Sequence, residues 1–186
     1  MTEPSDRDLM GRLAAGDREA LEPLMERHYQ RLYRIALAYL RRPDDALDVV
    51  QETFVKAYTH AARWDGAAEV APWLTRIAVN QAIDIYRRRR RRLGKEEALD
   101  DAAPQALAVG DPSPERRVLG QEIGERVDSA LRILPERQRA IFVLRHYEEL
   151  SLQEIAQALD MSLGTVKSSL HRAVARLRER LEGVRS

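Results

Sequence analysis

The sequence predicts an all-α protein with two small helical domains joined by a flexible acidic linker. Apolar residues recur at the three- and four-residue spacing of amphipathic helices, and we find no convincing strand. The composition is rich in Ala, Leu, Arg and Glu, which favours helices, and its 44% hydrophobic content suffices for one core or two. A strip with several Gly and Pro residues separates two helical regions. We therefore predict domains at 6–92 and 119–183, with the linker at 93–118.

The N-terminal domain is predicted to contain four helices. The first two cover 6–14 and 18–40, with a break at Gly16. The third follows Pro43, and its apolar stripe comprises Leu47, Val50, Phe54 and Tyr58. The fourth runs from about Pro72, which suits a first helical turn, to Arg92. Its predicted core stripe comprises Leu74, Ala78, Ala82 and Ile85.

Two helices of this domain also carry charged faces. On the third helix, Asp45, Asp48 and Glu52 recur at offsets of three and seven, which predicts an acidic face that is either solvated or binds a partner. The fourth ends in the arginine run 87–92. Such a run is typical of a solubilising tail, a localisation signal or a phosphate-binding surface, and its continuity with an ordered helix favours phosphate binding.

A loop with a tryptophan precedes the fourth helix. Trp64 is interpreted first as a packing residue, with base stacking as the alternative, because aromatic side chains among basic ones also hold single-stranded nucleic acid. On the helix itself, Arg76, Asn80 and Arg87 fall at offsets of four and eleven. They are therefore expected to project from nearly the same side.

The linker has a charge of its own. Residues 93–118 hold six acidic and three basic side chains, and their few apolar residues show no sustained helical period. The two domains should therefore be able to change their separation. A compact fold of the whole chain is the alternative.

The C-terminal domain ends in a predicted helix-turn-helix. Ser151 and Glu154 have the spacing of a capping box, the first helix should end near Asp160, and Ser162 can cap the second helix. The predicted buried residues of the two helices are Leu152, Ile155, Ala156, Leu159, Val166, Leu170, Ala173 and Leu177.

The opposite face of the second helix has the chemistry of a DNA reader. It combines short polar with basic side chains, namely Thr165, Lys167, Ser168, His171, Arg172 and Arg176. Residues 161–186 carry six basic and two acidic side chains, whereas the whole chain has a net charge of only +1. This segregation favours DNA binding over the alternative, a solvated helical hairpin.

Several classes of function find little support. Cysteine is absent, the four histidines have no metal-ligand spacing, and no glycine-rich phosphate loop or nucleophile motif occurs. An enzyme is therefore the weakest hypothesis, and we expect no cofactor, metal or small-molecule substrate. The polar N-terminus and the lack of a long apolar run predict a soluble, cytoplasmic chain without direct membrane insertion.

Three motifs, in this order and spacing, resemble the bacterial extracytoplasmic-function sigma factors of the sigma-70 family. They are Asp48-Val-Val-Gln-Glu-Thr-Phe, Trp73-Leu-Thr-Arg-Ile-Ala-Val-Asn with Asp84 and Arg87, and Leu134-Pro-Glu-Arg-Gln-Arg followed by the helix-turn-helix. The resemblance covers residues 6–92 and 119–182. It implies a promoter-specificity subunit of RNA polymerase that binds the core enzyme, recognises the minus-10 and minus-35 elements and aids DNA melting.

The resemblance also implies roles for individual residues. The clamp helices of the polymerase largest subunit would bind Asp45, Asp48, Gln51, Glu52 and Phe54, with Phe54 supplying buried area, and the beta flap is a further implied contact. The minus-10 element would contact Arg63, Trp64, Trp73, Arg76, Asn80, Asp84, Arg87 and Arg88. The minus-35 element would contact Thr165, Lys167, Ser168, Ser169, His171, Arg172 and Arg176.

The chain departs from the family pattern at two positions. Ser169 stands where an arginine is common, and Asp160 where glycine is the more usual helix stop. Family members are commonly held inactive by an anti-sigma factor, which would also account for retention at the membrane. Two other hypotheses remain at this stage. One is a stand-alone helix-turn-helix repressor or activator that dimerises on two half-sites, and the other is a helical adaptor that binds only protein.

Overall fold

The computed structural model describes residues 3–64, 66, 69–93 and 129–182, and the regular structure within these ranges is helical. This confirms the all-α prediction. The helices are α1 (Asp6–Ala14), α2 (Leu21–Leu40), α3 (Pro43–His60), α4 (Val70–Leu93), α5 (Glu136–His146), α6 (Leu152–Leu159) and α7 (Leu163–Glu182). Short 3-10 turns cover Arg18–Ala20 and Ala61–Arg63, and residues 129–132 are also helical. The predicted linker lies outside the described residues, apart from Leu93.

Helices α2, α3 and α4 pack together as the N-terminal bundle. Val50, Leu74, Ala78 and Ala82 are buried, as the apolar stripes predicted. The stripe on α3 needs one correction, because Leu47 is 39% exposed. Helix α3 therefore turns its Val50 side inward and leaves its Leu47 side beside the acidic residues.

Helix α1 is fixed to this bundle by both apolar and polar contacts. Its buried residues are Leu9, Met10 and Leu13, and Ser5 and Asp8 form a capping box at its start. Asp6 lies 2.6 Å from Nε2 of His28 and accepts a hydrogen bond from Arg27 at 2.8 Å. Burial raises the pKa of Asp6, but these two partners outweigh that effect, and the pKa lies below its ordinary value.

The C-terminal helices form as the capping signals predicted. Ser151 accepts a hydrogen bond from the Glu154 backbone at 3.2 Å, and the Glu154 carboxylate accepts one from the Ser151 backbone at 2.7 Å. Asp160 ends α6 in the left-handed region, with φ of 54°. Ser162 then caps α7 by accepting a hydrogen bond from the Thr165 backbone at 3.1 Å. These caps set the end of α6 and the start of α7, and the two helices pack together as the predicted helix-turn-helix.

The two domains pack against each other. Helix α4 contacts α6, helix α2 contacts α5, and the buried core runs continuously from the N-terminal bundle to residues such as Ile141, Ile155 and Val166. A second, smaller cluster lies within the C-terminal domain and contains Leu131, Leu134, Ala173 and Leu177. The described parts of the two domains are therefore in contact in this conformation. In the described part of the chain, no helix is both long enough and apolar enough to cross a membrane.

Candidate functional site

An open groove of about 690 Å³ lies between α3 and α4. One wall is acidic and contains Asp45, Asp48, Gln51 and Glu52, while Arg88, Arg89 and Arg92 contribute to the opposite wall. Asp48, Gln51 and Glu52 are exposed, so their polar groups face solvent. The structure thus brings together four of the five residues to which the family resemblance assigned core binding.

The fifth residue, Phe54, lies elsewhere. Its side chain is only 3% exposed and packs in the bundle core, so in this conformation it contributes no contact area to a partner. The apolar surface at the groove comes instead from Val55, which is 54% exposed. The sequence contained this signal, because Val55 follows Asp48, Gln51 and Glu52 at the seven-, four- and three-residue offsets of one helical face.

Asp45 differs from the other acidic residues of the groove. Its carboxylate accepts a hydrogen bond from Arg89 at 2.8 Å and lies 3.7 Å from Arg42. The side chain is 23% exposed. This carboxylate therefore links α3 to the arginine run of α4.

Four residues form what we call the reading face of α4, namely Arg76, Asn80, Asp84 and Arg87. All four are exposed along α4. Arg76 donates a hydrogen bond to Asp160 at 3.0 Å, and Arg87 contacts Glu136 at 2.7 and 2.6 Å through Nε and Nη2. The hydrogen bond to Glu136 raises the pKa of Arg87. Both arginines of the reading face therefore contact carboxylates of the C-terminal domain.

The tryptophan loop, residues 64–69, precedes α4, and the structure describes its residues Trp64, Gly66 and Glu69. Trp64 and Trp73 are partly buried against the bundle core, which agrees with the packing interpretation of Trp64. Arg7 of α1 donates a hydrogen bond to the Gly66 carbonyl at 2.6 Å, and its guanidinium lies 6.0 Å from the Trp64 ring centroid. Arg7 was missed by sequence reasoning because it lies 59 positions from Gly66.

Gly66 itself has φ of +73°, and a Cβ built there would contact the Trp64 ring at 3.9 Å. A side chain at position 66 would therefore be strained by the backbone conformation. Arg63 is exposed just before Trp64. Arg88 is exposed near the C-terminal end of α4, where it also donates a hydrogen bond to the Asp84 carbonyl at 3.4 Å.

The recognition face of α7 is the set of exposed polar side chains that the sequence predicted there, namely Thr165, Lys167, Ser168, His171, Arg172 and Arg176. Several of these residues bond within or near the helix. Ser168 donates to the Thr165 carbonyl at 3.1 Å, and Arg176 donates to Gln138 of α5 at 3.2 Å.

Ser169 does not belong to this face. It is 6% exposed and turned toward the interior, and its hydroxyl lies 3.4 Å from Nη2 of Arg172. The inward orientation follows from its position three residues after the buried Val166. In this conformation Ser169 is therefore not exposed with the DNA-facing set, and its hydroxyl contacts Arg172 instead. Its assignment to the minus-35 contacts stays a prediction.

Two further residues make contacts between the domains that sequence reasoning missed. The Arg139 guanidinium lies 4.9 and 4.8 Å from the ring centroids of Tyr39 and Tyr86, and it donates a hydrogen bond to the Tyr39 carbonyl. Glu148 accepts two hydrogen bonds from Arg34 at 3.0 and 3.1 Å, and its side chain is only 4% exposed.

Tyr39, which contacts Arg139, is itself buried. Burial raises the pKa of Tyr39, so the Tyr39 hydroxyl stays protonated.

The described residues contain no group of three or more His, Asp or Glu side chains that could hold a metal ion. The observed surfaces are an acidic groove, two polar helix faces and a tryptophan loop. Their chemistry suits the binding of macromolecules.

Sequence profiles of known families match both domains. Sigma-70 region 2 matches residues 24–92, and Sigma-70, region 4 matches residues 124–177. The RNA polymerase sigma-E factor of Streptomyces avermitilis is 37% identical over 175 residues, covering 91% of this chain and 89% of that protein. The ECF RNA polymerase sigma factor SigW of Bacillus subtilis is 31% identical over 171 residues, covering 89% of this chain and 91% of that protein.

Solved structures show the same architecture. The structure of CnrH in complex with the cytosolic domain of CnrY matches with a TM-score of 0.69 and 27% identity, covering 97% of this chain and 99% of that one. RpoE of Bartonella quintana, solved in complex with the anti-sigma factor NepR, matches in fold with a TM-score of 0.64 at 23% identity, covering 87% of this chain and 96% of that one.

Proposed function

The chain belongs to the extracytoplasmic-function group of the sigma-70 family, and from this premise we propose which of its surfaces bind core RNA polymerase and promoter DNA. Members of this family direct promoter-specific transcription initiation and are initiation factors rather than catalysts. Membership also decides among the hypotheses left open by the sequence. The stand-alone repressor or activator and the protein-only adaptor are not retained.

The acidic groove is the proposed binding site for the clamp helices of the polymerase largest subunit. Its exposed carboxylates, Asp48 and Glu52, supply charge complementarity, which steers association and fixes register. Val55 supplies the exposed apolar contact in place of the buried Phe54. The combination of carboxylates with an exposed apolar side chain is the observation that carries this assignment.

The reading face of α4 and the tryptophan loop are the proposed minus-10 site. Arginine and asparagine side chains can contact both base edges and the backbone of a separated strand, and an aromatic residue beside them can stack on an extruded base. Capture of that base offsets part of the unstacking cost, about a few kcal/mol, and so favours DNA opening. Arg63, Trp64, Trp73 and Arg88 complete the proposed site.

The recognition face of α7 is the proposed minus-35 site. It is exposed over its whole length, and it has the short polar and basic side chains that contact base edges and phosphates in a major groove. Lys167 and His171 also line a second groove of about 340 Å³ with Leu170 and Arg178. The beta flap is the proposed polymerase contact of the C-terminal domain.

Regulation by an anti-sigma factor is a further part of the proposal. The related proteins CnrH and RpoE were each solved in complex with another protein, CnrY and the anti-sigma factor NepR respectively. A partner of this kind would retain the chain at the membrane only if the partner itself is anchored there.

The test of the proposed function is transcription with purified core enzyme. The chain plus core should produce specific start sites on a fragmented genomic library, and mapping these sites gives the promoter. Asp48→Arg and Glu52→Arg should abolish or strongly reduce core binding, since each places a cation in the acidic groove. Glu26→Arg makes the same charge change on α2, outside the groove, and is the matched control.

Two results would contradict the proposal. Absence of any specific start site would remove the assignment of promoter recognition to this chain. Normal core binding by both groove variants would remove the groove from the polymerase interface while leaving the two DNA-reading faces in place. Pull-down of core enzyme measures the second outcome without reference to any promoter.

A further inference from the structure

We propose that Ser169 and Gln138 are positioning residues of the minus-35 site, which hold the guanidinium groups of Arg172 and Arg176 in place without neutralising their charge. The proposal rests on the proposed function of the recognition face of α7 and deepens it. Each positioning residue acts on DNA through the arginine that it holds. Together they set how strongly the two arginines discriminate between base pairs.

The two arginines share an arrangement in which a less exposed residue supplies an oxygen to each guanidinium. Nη2 of Arg172 donates a hydrogen bond to the Ser169 hydroxyl at 3.4 Å, and Nη1 of Arg176 donates one to the Gln138 side-chain oxygen at 3.2 Å. Both arginines are exposed, whereas Ser169 is buried and Gln138 is partly buried. The acceptors therefore lie on the protein side of the guanidinium groups and leave the other side open to solvent.

These acceptors carry no charge, unlike the partners of the arginines on the reading face of α4. Arg76 and Arg87 each contact a carboxylate, which offsets the positive charge of the guanidinium. Within the described ranges, the side-chain hydrogen bonds of Arg172 and Arg176 go to a hydroxyl and an amide, and neither arginine forms an ion pair. A neutral acceptor orients a guanidinium but leaves its full charge available for attraction to DNA phosphates.

A guanidinium has enough donors to bond a positioning residue and DNA at the same time. It carries five N–H groups, so one bond to the protein leaves four for the groove. A bidentate contact with O6 and N7 of guanine uses only two of them. An arginine side chain loses rotamer freedom when it becomes ordered on DNA, and an acceptor that already orients it lowers this cost. The benefit is greatest for the base pair that fits the held geometry, so positioning raises discrimination.

The two positioning residues are themselves held by the packing of the C-terminal domain. Ser169 lies three residues after Val166 and four before Ala173, and both of these neighbours on its helical face are buried. Arg172 follows Ser169 by three residues, the spacing at which side chains of one helix meet. Gln138 lies on α5, which packs against α7. One arginine is therefore held from its own helix and the other from a neighbouring helix.

The first experiment uses double-mutant cycles that are crossed, so that each serves as the control of the other. Ser169→Ala is combined with Arg172→Ala and, in the control cycle, with Arg176→Ala. Gln138→Ala is combined with the same two arginine variants, and there the control is Arg172→Ala. Discrimination is the ratio of two affinities of the chain with core enzyme, for the mapped minus-35 sequence and for a substituted one, and gel-shift titration measures both.

The crossed cycles have a defined expected result. Ser169→Ala should lower discrimination by about three- to fivefold in the parent chain and in Arg176→Ala, but should have no effect in Arg172→Ala. Gln138→Ala should show the reverse dependence on the two arginines. An equal loss in all backgrounds would overturn the proposal, because a general disturbance of α7 does not depend on which arginine is present. Unchanged discrimination in the parent chain would also overturn it.

The second experiment measures positioning in the free chain, without core enzyme or DNA. Isotope-labelled arginine gives an NMR signal for the Nε–H group of each side chain, and Arg172→Ala and Arg176→Ala identify the two signals by their loss. Ser169→Ala should lower the order parameter of the Arg172 Nε–H group and leave that of Arg176 unchanged. Gln138→Ala should do the opposite. Order parameters that respond to neither variant would contradict the proposed positioning.

Failure of the proposed function gives a different pattern. If the recognition face of α7 does not bind the minus-35 element, Arg172→Ala and Arg176→Ala leave the affinity for both DNA sequences unchanged. The order parameters in the free chain still respond to Ser169→Ala and Gln138→Ala, each at its own arginine. The NMR measurement therefore tests the positioning residues, and the gel-shift titration of the arginine variants tests the recognition face.

Discussion

The two proposed DNA-reading surfaces differ in what contacts them within the chain. The reading face of α4 has both of its arginines in contact with carboxylates of the other domain. The recognition face of α7 is exposed, and its described hydrogen bonds stay within the C-terminal domain. The difference teaches that the recognition face of α7 is accessible in this conformation, whereas the arginines of the reading face of α4 already have partners in the other domain.

The largest effect is expected at the recognition face of α7. Arg172→Ala should lose about 1–3 kcal/mol of discrimination between the mapped minus-35 sequence and a substituted one, if this arginine reads a base. Gel-shift titration of the chain with core enzyme on both sequences measures the loss. An equal loss on both sequences would make Arg172 a phosphate contact, and the exposed surface would then provide affinity without specificity.

A smaller effect is expected on the stability of the helix-turn-helix that carries the recognition face of α7. Ser151→Ala should destabilise the helix-turn-helix by about 1 kcal/mol, because it removes the cap of α6. The pKa of Glu154 lies below its ordinary value because the Ser151 hydroxyl and backbone bond its carboxylate. That stabilisation is therefore present above about pH 4.5 and is lost as the pH falls through the lower folded value.

Thermal unfolding of the parent chain and of Ser151→Ala from pH 7 down to pH 3 tests this. The difference in unfolding free energy between the two should be constant near neutrality and should shrink below pH 4.5. A difference that does not change over this range would show that the ionised Glu154 carboxylate contributes nothing to the cap. The stability of the exposed surface would then depend on its packing alone.

The smallest effect is expected in the tryptophan loop, which precedes α4 and its reading face. Arg7→Ala removes one exposed hydrogen bond to the Gly66 carbonyl, so promoter opening should slow by roughly twofold, or about 0.5 kcal/mol. Arg12→Ala is the control, since Arg12 lies on the same helix but bonds Asp17 instead. Fluorescence of a base analogue in the minus-10 element measures the rate of promoter opening. Equal rates in the two variants would show that the contact from α1 does not position the tryptophan loop.

Much of the fold follows from local signals in the sequence. Helix caps depend on residues three positions apart, so Ser151 with Glu154 and the stop at Asp160 could be predicted without any knowledge of packing. Amphipathic spacing located the cores of both domains for the same reason. The boundaries of the linker stay predictions, because residues 94–128 lie outside the part of the chain that the structure describes.

The errors arose where packing around a helix or the meeting of two domains decides the outcome. Phe54 and Leu47 lie seven residues apart on the same predicted stripe of α3, but the neighbouring helices bury the first and leave the second exposed. Ser169 was assigned by its position in a motif, although helical spacing from Val166 places it inside. Arg139 and Glu148 act across sequence separations of about a hundred residues, which no local pattern reveals.

The left-handed residue at the end of α6 has a consequence for how this chain could change over evolution. Glycine at position 160 would relieve the backbone strain of φ 54°, a gain of roughly 1 kcal/mol, but it would remove the carboxylate that meets Arg76. The stability of the C-terminal domain and its contact with the N-terminal domain therefore make opposite demands on the residue at position 160. Asp160→Gly should give a more stable C-terminal domain with one ion pair fewer to the N-terminal domain.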